Sequence, residues 1–347
     1  MRRTKRVLGW PALLALAALG LVSCEWPMDD FDLDGVGDFE IIPDGNPTWT
    51  GGGGWGWTDI TPRNDLAAAA ASDFRFVAVG KDILVSEDAS QWRTAVADST
   101  LAWEDVIWTG RSFIAVGSNK IMISDSGLVW ETAWSGVENG HLLSIASYGN
   151  RIVACGWQSS PSTGLVLVSG DGIAWEEQSI AGPADWWTIT KVVTAGSNGF
   201  LAVGINGDSQ TQLVMRSADG GTWTLDTVSV KVIRDIVWDG ARYVAASDSQ
   251  LFLVSADAST WITIPETPVS MVLGSTSLAW SGSEYLCLRW GRVSHSTDAW
   301  VWQSTLTLQN WMSGRRVRWC RDRFLLFGRD LLSSSPDGVV WQTLTLP

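Results

Sequence analysis

Carboxylates come first in any search for chemistry in this chain, because six of them occupy one repeated place. Asp88, Asp171, Asp219, Asp257, Asp298 and Asp337 each stand two residues after a serine (Ser86, Ser169, Ser217, Ser255, Ser296, Ser335) and four before a tryptophan (Trp92, Trp175, Trp223, Trp261, Trp302, Trp341). A seventh copy, Ser124 to Trp130, has Ser126 where the others have aspartate. An aspartate in such a phrase can accept hydrogen bonds from the backbone N–H groups of its own turn, and the glycine or alanine that follows allows a tight bend. Glycoside hydrolysis needs a spatial pair of carboxylates, yet no acidic residue stands apart from the repeat or the acidic N-terminal stretch. His141 and His295 are too few for a typical zinc site, and neither has a partner at ligand spacing. No nucleophile elbow, phosphate-binding glycine loop or dinucleotide fingerprint occurs. The expectation is a chain without catalytic residues.

The elements that carry these phrases repeat as well. Successive tryptophans of the phrase lie 38, 45, 48, 38, 41 and 39 residues apart, a period that signals stacked supersecondary units. A β-branched run ends at each serine, as in Ile83–Ser86 and Phe252–Ser255. Upstream lies a second run, exemplified by Phe76–Gly80, Phe113–Gly117, Phe200–Gly204 and Phe324–Gly328, and before it a third ending in an aromatic residue, at Trp108, Trp238 and Trp280. Tyr148 aligns with those three tryptophans. The tryptophan of each phrase opens a fourth run, as in Trp223–Val228 and Trp341–Leu346. Such runs, bounded by turn residues, predict strands, so each unit is a four-stranded antiparallel meander. Seven of them predict an all-β fold, a seven-bladed β-propeller spanning 55–347.

The constellation resembles the Asp-box (BNR) repeat of sialidase-like propellers, sortilin-type receptors and photosystem II assembly-factor-like proteins, over roughly residues 72–347. The fuller pattern of that group is one residue longer, with threonine before the aromatic; here Ala218-Asp219-Gly220-Gly221-Thr222-Trp223 comes nearest. The resemblance implies that the box is a structural staple. It also raises the alternative of a sialidase-like glycoside hydrolase, which would need an arginine triad, a tyrosine nucleophile with a glutamate partner, and a general acid. The three tyrosines, Tyr148, Tyr243 and Tyr285, all fall at repeat positions, and the Arg-Ile-Pro signature of those enzymes is absent.

The address is written at the N-terminus. Arg2, Arg3, Lys5 and Arg6 precede an apolar stretch from Val7 to Val22, a charged region followed by a hydrophobic one as in secretory leaders. Leu21-Val22-Ser23-Cys24 matches a bacterial lipobox, predicting a signal peptide at 1–23 and lipidation of Cys24. Residues 24–54 form an acidic, Gly-rich segment, expected to be a flexible tether. Within it Asp30, Asp32, Asp34 and Asp38 alternate as in a calcium loop, but Ile41 sits where an EF-hand has its bidentate glutamate. The segment therefore reads as a solvated linker first and a Ca²⁺ site second, and no other cofactor is expected. Loss of the leader would take the formal charge from −13 to about −17, four positive charges fewer. So acidic a chain has no general attraction to nucleic acid. Cys155, Cys287 and Cys320 fall at strand positions in three different repeats, which predicts buried free thiols.

What the repeat does not require is the remaining source of function. Loops leading into the innermost strands, and loops after the second strands, carry Trp103, Trp186, Trp187, Trp290 and Trp311 with Arg315 and Arg316. Exposed tryptophan and arginine anchor interfaces, so these seven define the expected binding face, for a protein or a glycan of the envelope. The function expected is a lipid-anchored cell-envelope propeller, held at the outer membrane on its periplasmic or surface side, acting as a non-catalytic binding or assembly module. The alternatives are the hydrolase named above and a purely structural surface scaffold. Replacing Cys24 by alanine should move the protein to the soluble fraction and abolish palmitate labelling; unchanged membrane partition would refute the anchor.

Overall fold

The computed structural model describes residues 65–97, 100–136, 140–159, 162–180, 187–194, 199–206, 211–228, 232–247, 251–265, 276–289, 291–308, 314–329, 331–344 and 346, with the backbone of Phe39–Ile41 and Pro47–Trp49. The expectations for Cys24, Asp30–Asp38, Trp186, Trp290 and Trp311 lie outside these residues, as do the side chain of Arg315 and Trp55–Thr61, whose sequence reads as an additional outer strand. Residues 1–60 form one compact unit and 61–347 another. In the first, where a plain spacer was expected, Phe39–Ile41 pairs antiparallel with Pro47–Trp49.

The second unit is a seven-bladed β-propeller of four-stranded antiparallel blades, each built from contiguous sequence. The innermost strands are Ala68–Ala71, Trp103–Trp108, Gly140–Tyr148, Trp187–Thr194, Ile233–Trp238, Thr276–Trp280 and Gly314–Cys320, numbered here as blades 1 to 7. Blades 3 and 4 have the longest inner hairpins, which absorbs the two longest repeat spacings. Apolar residues alternate so that every blade buries both faces. The seven core clusters fall one at each junction: Val77 with Trp103 between blades 1 and 2, for example, and Leu201 with Tyr243 between blades 4 and 5.

The repeated phrase forms the turn between third and fourth strands. Asp219 Oδ1 accepts the N–H groups of Gly221 and Thr222 at 2.9 Å each and the Ser217 hydroxyl at 3.1 Å. The same pattern recurs at Asp88, Asp171, Asp257, Asp298 and Asp337. These bonds favour the carboxylate form, and each of the six carboxyls is held below its ordinary pKa; the Ser90 hydroxyl contributes most at Asp88, the N–H three residues on at the others. In blade 2 the Ser126 hydroxyl accepts only the Leu128 N–H, at 3.1 Å. The residue after the aspartate is left-handed in every blade, with φ of 60° at Ala89 and 79° at Gly172. A Cβ at Gly220 would stand 2.6 Å from Val153 Cγ2 of the preceding blade, so the turn presses directly on its neighbour. The tryptophan then returns its indole N–H to that residue's carbonyl, as Trp302 does to Ala299 at 3.0 Å.

Among the described residues ring closure involves no shared strand, although Asp65 and Arg329 form an isolated antiparallel bridge between blades 1 and 7. Blade 7 meets blade 1 through Cys320, Leu325 and Phe327 packed on Leu66, Phe76 and Trp92. A backbone bond from Leu66 N–H to Gly328 O, 3.2 Å, reinforces it. Arg321 donates to Ser72 O at 2.8 Å and lies 4.3 Å from the Phe76 ring centroid. One register expectation fails. Trp108 pairs with Phe113, but the residue pairing with Ile152 at the same place in blade 3 is Ser147; Tyr148 lies one position further on, opposite Arg151. The turn has the same length in both blades, four residues between the paired positions (109–112 and 148–151), so Ser147 rather than Tyr148 is the counterpart of Trp108; the extra length of blade 3 lies at the other end of its hairpin.

Asp219→Ala should cost about 1–2 kcal/mol, as for loss of a side chain capping backbone N–H groups, measurable by urea denaturation without change of fold.

Candidate functional site at the channel axis

The channel-facing positions follow from strand alternation after a β-bulge near the start of most inner strands. The residue paired just ahead of the second strand's glycine, or its equivalent, is Asp105 in blade 2, Ser144 in blade 3, Lys191 in blade 4, Asp235 in blade 5, Ser277 in blade 6 and Arg316 in blade 7. Six blades thus place a polar or charged side chain at one level, and Ala68 completes the layer. Two residues further on, the level is apolar at Ala70, Ile107, Ala146, Val193, Val237 and Ala279, and blade 7 alone supplies a charge, Arg318. A cavity of about 480 Å³ runs from this layer past Ile107 and Val193 to Trp108, Trp238, Trp280 and Trp319.

Each buried carboxylate ties its own blade to the next. Asp105 Oδ2 accepts the Ser144 hydroxyl at 2.9 Å and the Ile145 N–H at 3.3 Å. Asp235 Oδ2 accepts the Ser277 hydroxyl at 3.0 Å and the Leu278 N–H at 2.9 Å. Lys191 reaches across, with Nζ 3.6 Å from Asp105 and 4.0 Å from Asp235. Arg318 Nη1 lies 3.3 Å from Asp235 Oδ2 and donates to Ser277 Oγ at 3.1 Å and to Val317 O at 3.0 Å.

Burial pushes both carboxyls up, but the neighbouring cations win. Lys191, Arg318 and Arg316 hold Asp105 below its ordinary pKa, and Arg318, Lys191 and Arg316 bring Asp235 down to about 2. Burial, and then Arg318, lower the Lys191 ammonium despite the two aspartates. Tyr243 and Tyr285 are both pushed up to about 12, chiefly by burial, and the Tyr285 hydroxyl donates to Asp239 in blade 5. Among the described residues no three His, Cys, Asp or Glu side chains gather as a metal site.

Several residues expected on an exposed binding face are elsewhere. Trp103 and Trp187 are each 1% exposed. Trp103 fills the junction of blades 1 and 2, and Trp187 that of blades 3 and 4. Trp187 lies so close to Gly164 that a Cβ there would stand 2.4 Å from the ring. Both tryptophans begin inner strands rather than loops, and alternation turns them away from the channel. Arg316 does reach the channel layer, where it acts on both aspartates. The closely spaced arginines Arg316, Arg318, Arg321 and Arg323 do not form one patch: Arg316 and Arg318 face the axis, whereas Arg321 and Arg323 approach Phe76 at the junction of blades 7 and 1. His141 lies in the inner strand of blade 3, stacked on Trp157 at 5.9 Å and 3.4 Å from Glu104.

Lys191, Ser144 and Ser277 have no distinguishing signal in the sequence; Asp105 and Asp235 read there as residues of loops entering the inner strands, and Arg318 as one of a basic run, Arg315, Arg316, Arg318, Arg321 and Arg323. For the two aspartates a signal was present: Asp105-Val106-Ile107-Trp108 and Asp235-Ile236-Val237-Trp238 share one pattern, an acid leading an apolar run.

No protein family and no curated protein matches the sequence. Solved structures do share the fold. A streptogramin B lyase aligns with TM-score 0.62 at 11% identity, over 77% of this chain and 92% of that one. The WD40 β-propeller domain of Doa1 aligns with TM-score 0.59 at 12% identity, over 77% and 90%. Sqt1 of Saccharomyces cerevisiae aligns with TM-score 0.53 at 13% identity, over 82% and 86%. At these identities the likeness extends to the fold alone, and since one of the three is a lyase, the fold does not decide for or against chemistry.

Asp235→Ala would strand Arg318 without its counter-charge, leave Lys191 with Asp105 alone, and should cost about 3–5 kcal/mol. Wild-type Asp235 titrates at about 2 against about 3.9 in an unfolded chain. Its contribution is therefore complete above about pH 4 and lost as pH falls through about 2, so denaturation curves of mutant and wild type should converge in acid. Trp187→Ala should also cost about 3–5 kcal/mol, as a core truncation.

Proposed function

We propose that this protein is a lipid-anchored β-propeller of the bacterial cell envelope that works as a non-catalytic binding module, engaging a protein or glycan at the mouth of its central channel. The observation that carries the reading is the channel's charged layer. Both of its carboxylates are held ionised and committed to inter-blade hydrogen bonds, which suits rigidity and leaves neither as a proton donor. Tyr243 and Tyr285 are buried between blades with raised pKa values, the opposite of an activated nucleophile. A rigid ring around an open, charged cavity presents a fixed surface, so binding loses little to reorganisation. The leader and Cys24 supply the address.

The test is a glycan array beside capture from envelope extracts, with Arg316→Gln as control. Wild type should retain a ligand that the variant loses at an unchanged melting temperature, with an effect that shrinks as salt rises. Hydrolysis of a fluorogenic glycoside by wild type would instead establish the hydrolase alternative.

A further inference from the structure

The outward-facing apolar side chains of the propeller gather at one end of its blades. In a four-stranded meander the turn after the first strand and the turn after the third lie at the same end. Arg242, in a turn of the first kind, accordingly reaches Asp298 O in one of the second. Of the eight large apolar side chains exposed among the described residues, seven lie in such turns, and the eighth, Ile262, directly follows Trp261 of one. Blades 6 and 7 carry four of them: Trp300 is 45% exposed, Val301 63%, Val339 49% and Val340 70%. The two turns are neighbours, since Thr305 in the outer strand of blade 6 donates to Gly338 O of blade 7 at 3.1 Å.

The turns do not need these side chains. What each uses at the two positions is the backbone N–H, donated by Trp300 and Val301 to Asp298 and by Val339 and Val340 to Asp337, at 2.8–2.9 Å. The same turn is built with Ser90-Gln91 in blade 1, Gly221-Thr222 in blade 4 and Ser259-Thr260 in blade 5. Apolar side chains set side by side in water, with no part in the fold, mark an interaction surface.

Charge narrows the choice of occupant. Asp298 and Asp337 spend Oδ1 on their turns, and Oδ2 of each has no hydrogen-bond partner among the described residues. Arg242, which reaches the blade 6 turn, is engaged by Asp239 and by Asp298 O. Each turn therefore offers an open carboxylate oxygen beside two apolar side chains. A second copy of this acidic chain, its own acidic stretch at 25–54 or an anionic bilayer would meet like charge. The chain also enters the propeller at the opposite end, at the bridge of Asp65 with Arg329, so a membrane tether joined there would not by itself bring these turns to a bilayer.

We propose that the Ser-x-Asp turns of blades 6 and 7 form a second docking surface, for a protein segment in which basic residues are interleaved with apolar ones. Its apolar side chains pack on Trp300, Val301, Val339 and Val340, and its basic ones meet the open oxygens of Asp298 and Asp337. Neither the channel nor the lipid anchor enters this inference.

The test uses the full chain carrying Cys24→Ala, free of detergent, and three labelled peptides of equal length that alternate Lys with Leu, Lys with Ser, or Glu with Leu. Fluorescence anisotropy should show saturable binding of the Lys-Leu peptide alone, and hydrogen exchange should slow at 298–302 and 337–341 when it binds. Adding Trp300→Ser and Val340→Ser together should weaken that binding roughly tenfold or more at an unchanged melting temperature, because the turn bonds are made by backbone groups. Equal binding of the Lys-Ser peptide, or an unchanged affinity in this variant, would overturn the proposal. Flotation with phosphatidylcholine vesicles that the variant loses would assign the face to a bilayer, and dimerisation that the variant loses would assign it to a second copy; either result also overturns it. Arg316→Gln should leave the peptide affinity unchanged, so failure of this surface and failure of the channel reading remain distinct.

Discussion

No four-stranded sheet of this chain can keep both apolar faces from water alone, and every other feature of the propeller answers to that constraint. Burial is supplied by the neighbouring blade, so the stabilising contacts lie between repeats rather than within them. One core cluster occupies each of the seven junctions. The Ser-x-Asp turn belongs to this arrangement as much as to its own hairpin. Its left-handed residue abuts the preceding blade, as Gly172 does at Ile114 and Gly338 at Leu286. Arginines in the turns between first and second strands reach the next blade in the same way, Arg242 to Asp298 O at 2.7 Å and Arg75 to Ser126 O. Each carbonyl so used belongs to a turn already fixed by its own side chains, which gives the arginine a stationary acceptor.

Closure follows from the same logic. A ring of contiguous blades has one junction between chain-distant partners, and here, among the described residues, blade 7 and blade 1 meet through packing, the isolated bridge of Asp65 with Arg329 and Arg321 rather than through a shared strand. The inner strands of the closed ring converge on one axis, where the charged side chains of several blades must find partners. Asp105 and Asp235 meet this with hydrogen bonds to backbone N–H groups of the adjacent blade, and Lys191 joins both. Truncating one member of such a network strands its partners, whereas the intact set fixes the angular position of one blade against the next.

These charges also bound the chemistry available. A carboxylate held well below its ordinary pKa is a poor proton donor at neutral pH, and a tyrosine raised to about 12 is a poor nucleophile. A fixed electrostatic surface at the channel is instead suited to recognition. The fold does not forbid catalysis, as the lyase of the same architecture makes plain; the bias comes from the side chains.

Secondary structure and turn chemistry were legible in the sequence because they are local. The Ser-x-Asp-(Gly/Ala) phrase carries its own hydrogen-bond donors and acceptors within a few residues, and the β-branched runs between phrases reveal strand, length and number. The longer hairpins of blades 3 and 4 were present as longer spacings, although the placement of Tyr148 was not, since register depends on pairing. What surrounds each side chain was decided only in three dimensions. Trp103 and Trp187 look like loop anchors until alternation from the start of an inner strand turns them into the blade junctions. Asp105, Lys191, Asp235 and Arg318 are 83 residues apart from Asp235 to Arg318 alone, and no local pattern links them. They form one layer because seven inner strands meet at a common axis, and only closure of the ring brings a bulge in one blade level with a bulge in the next.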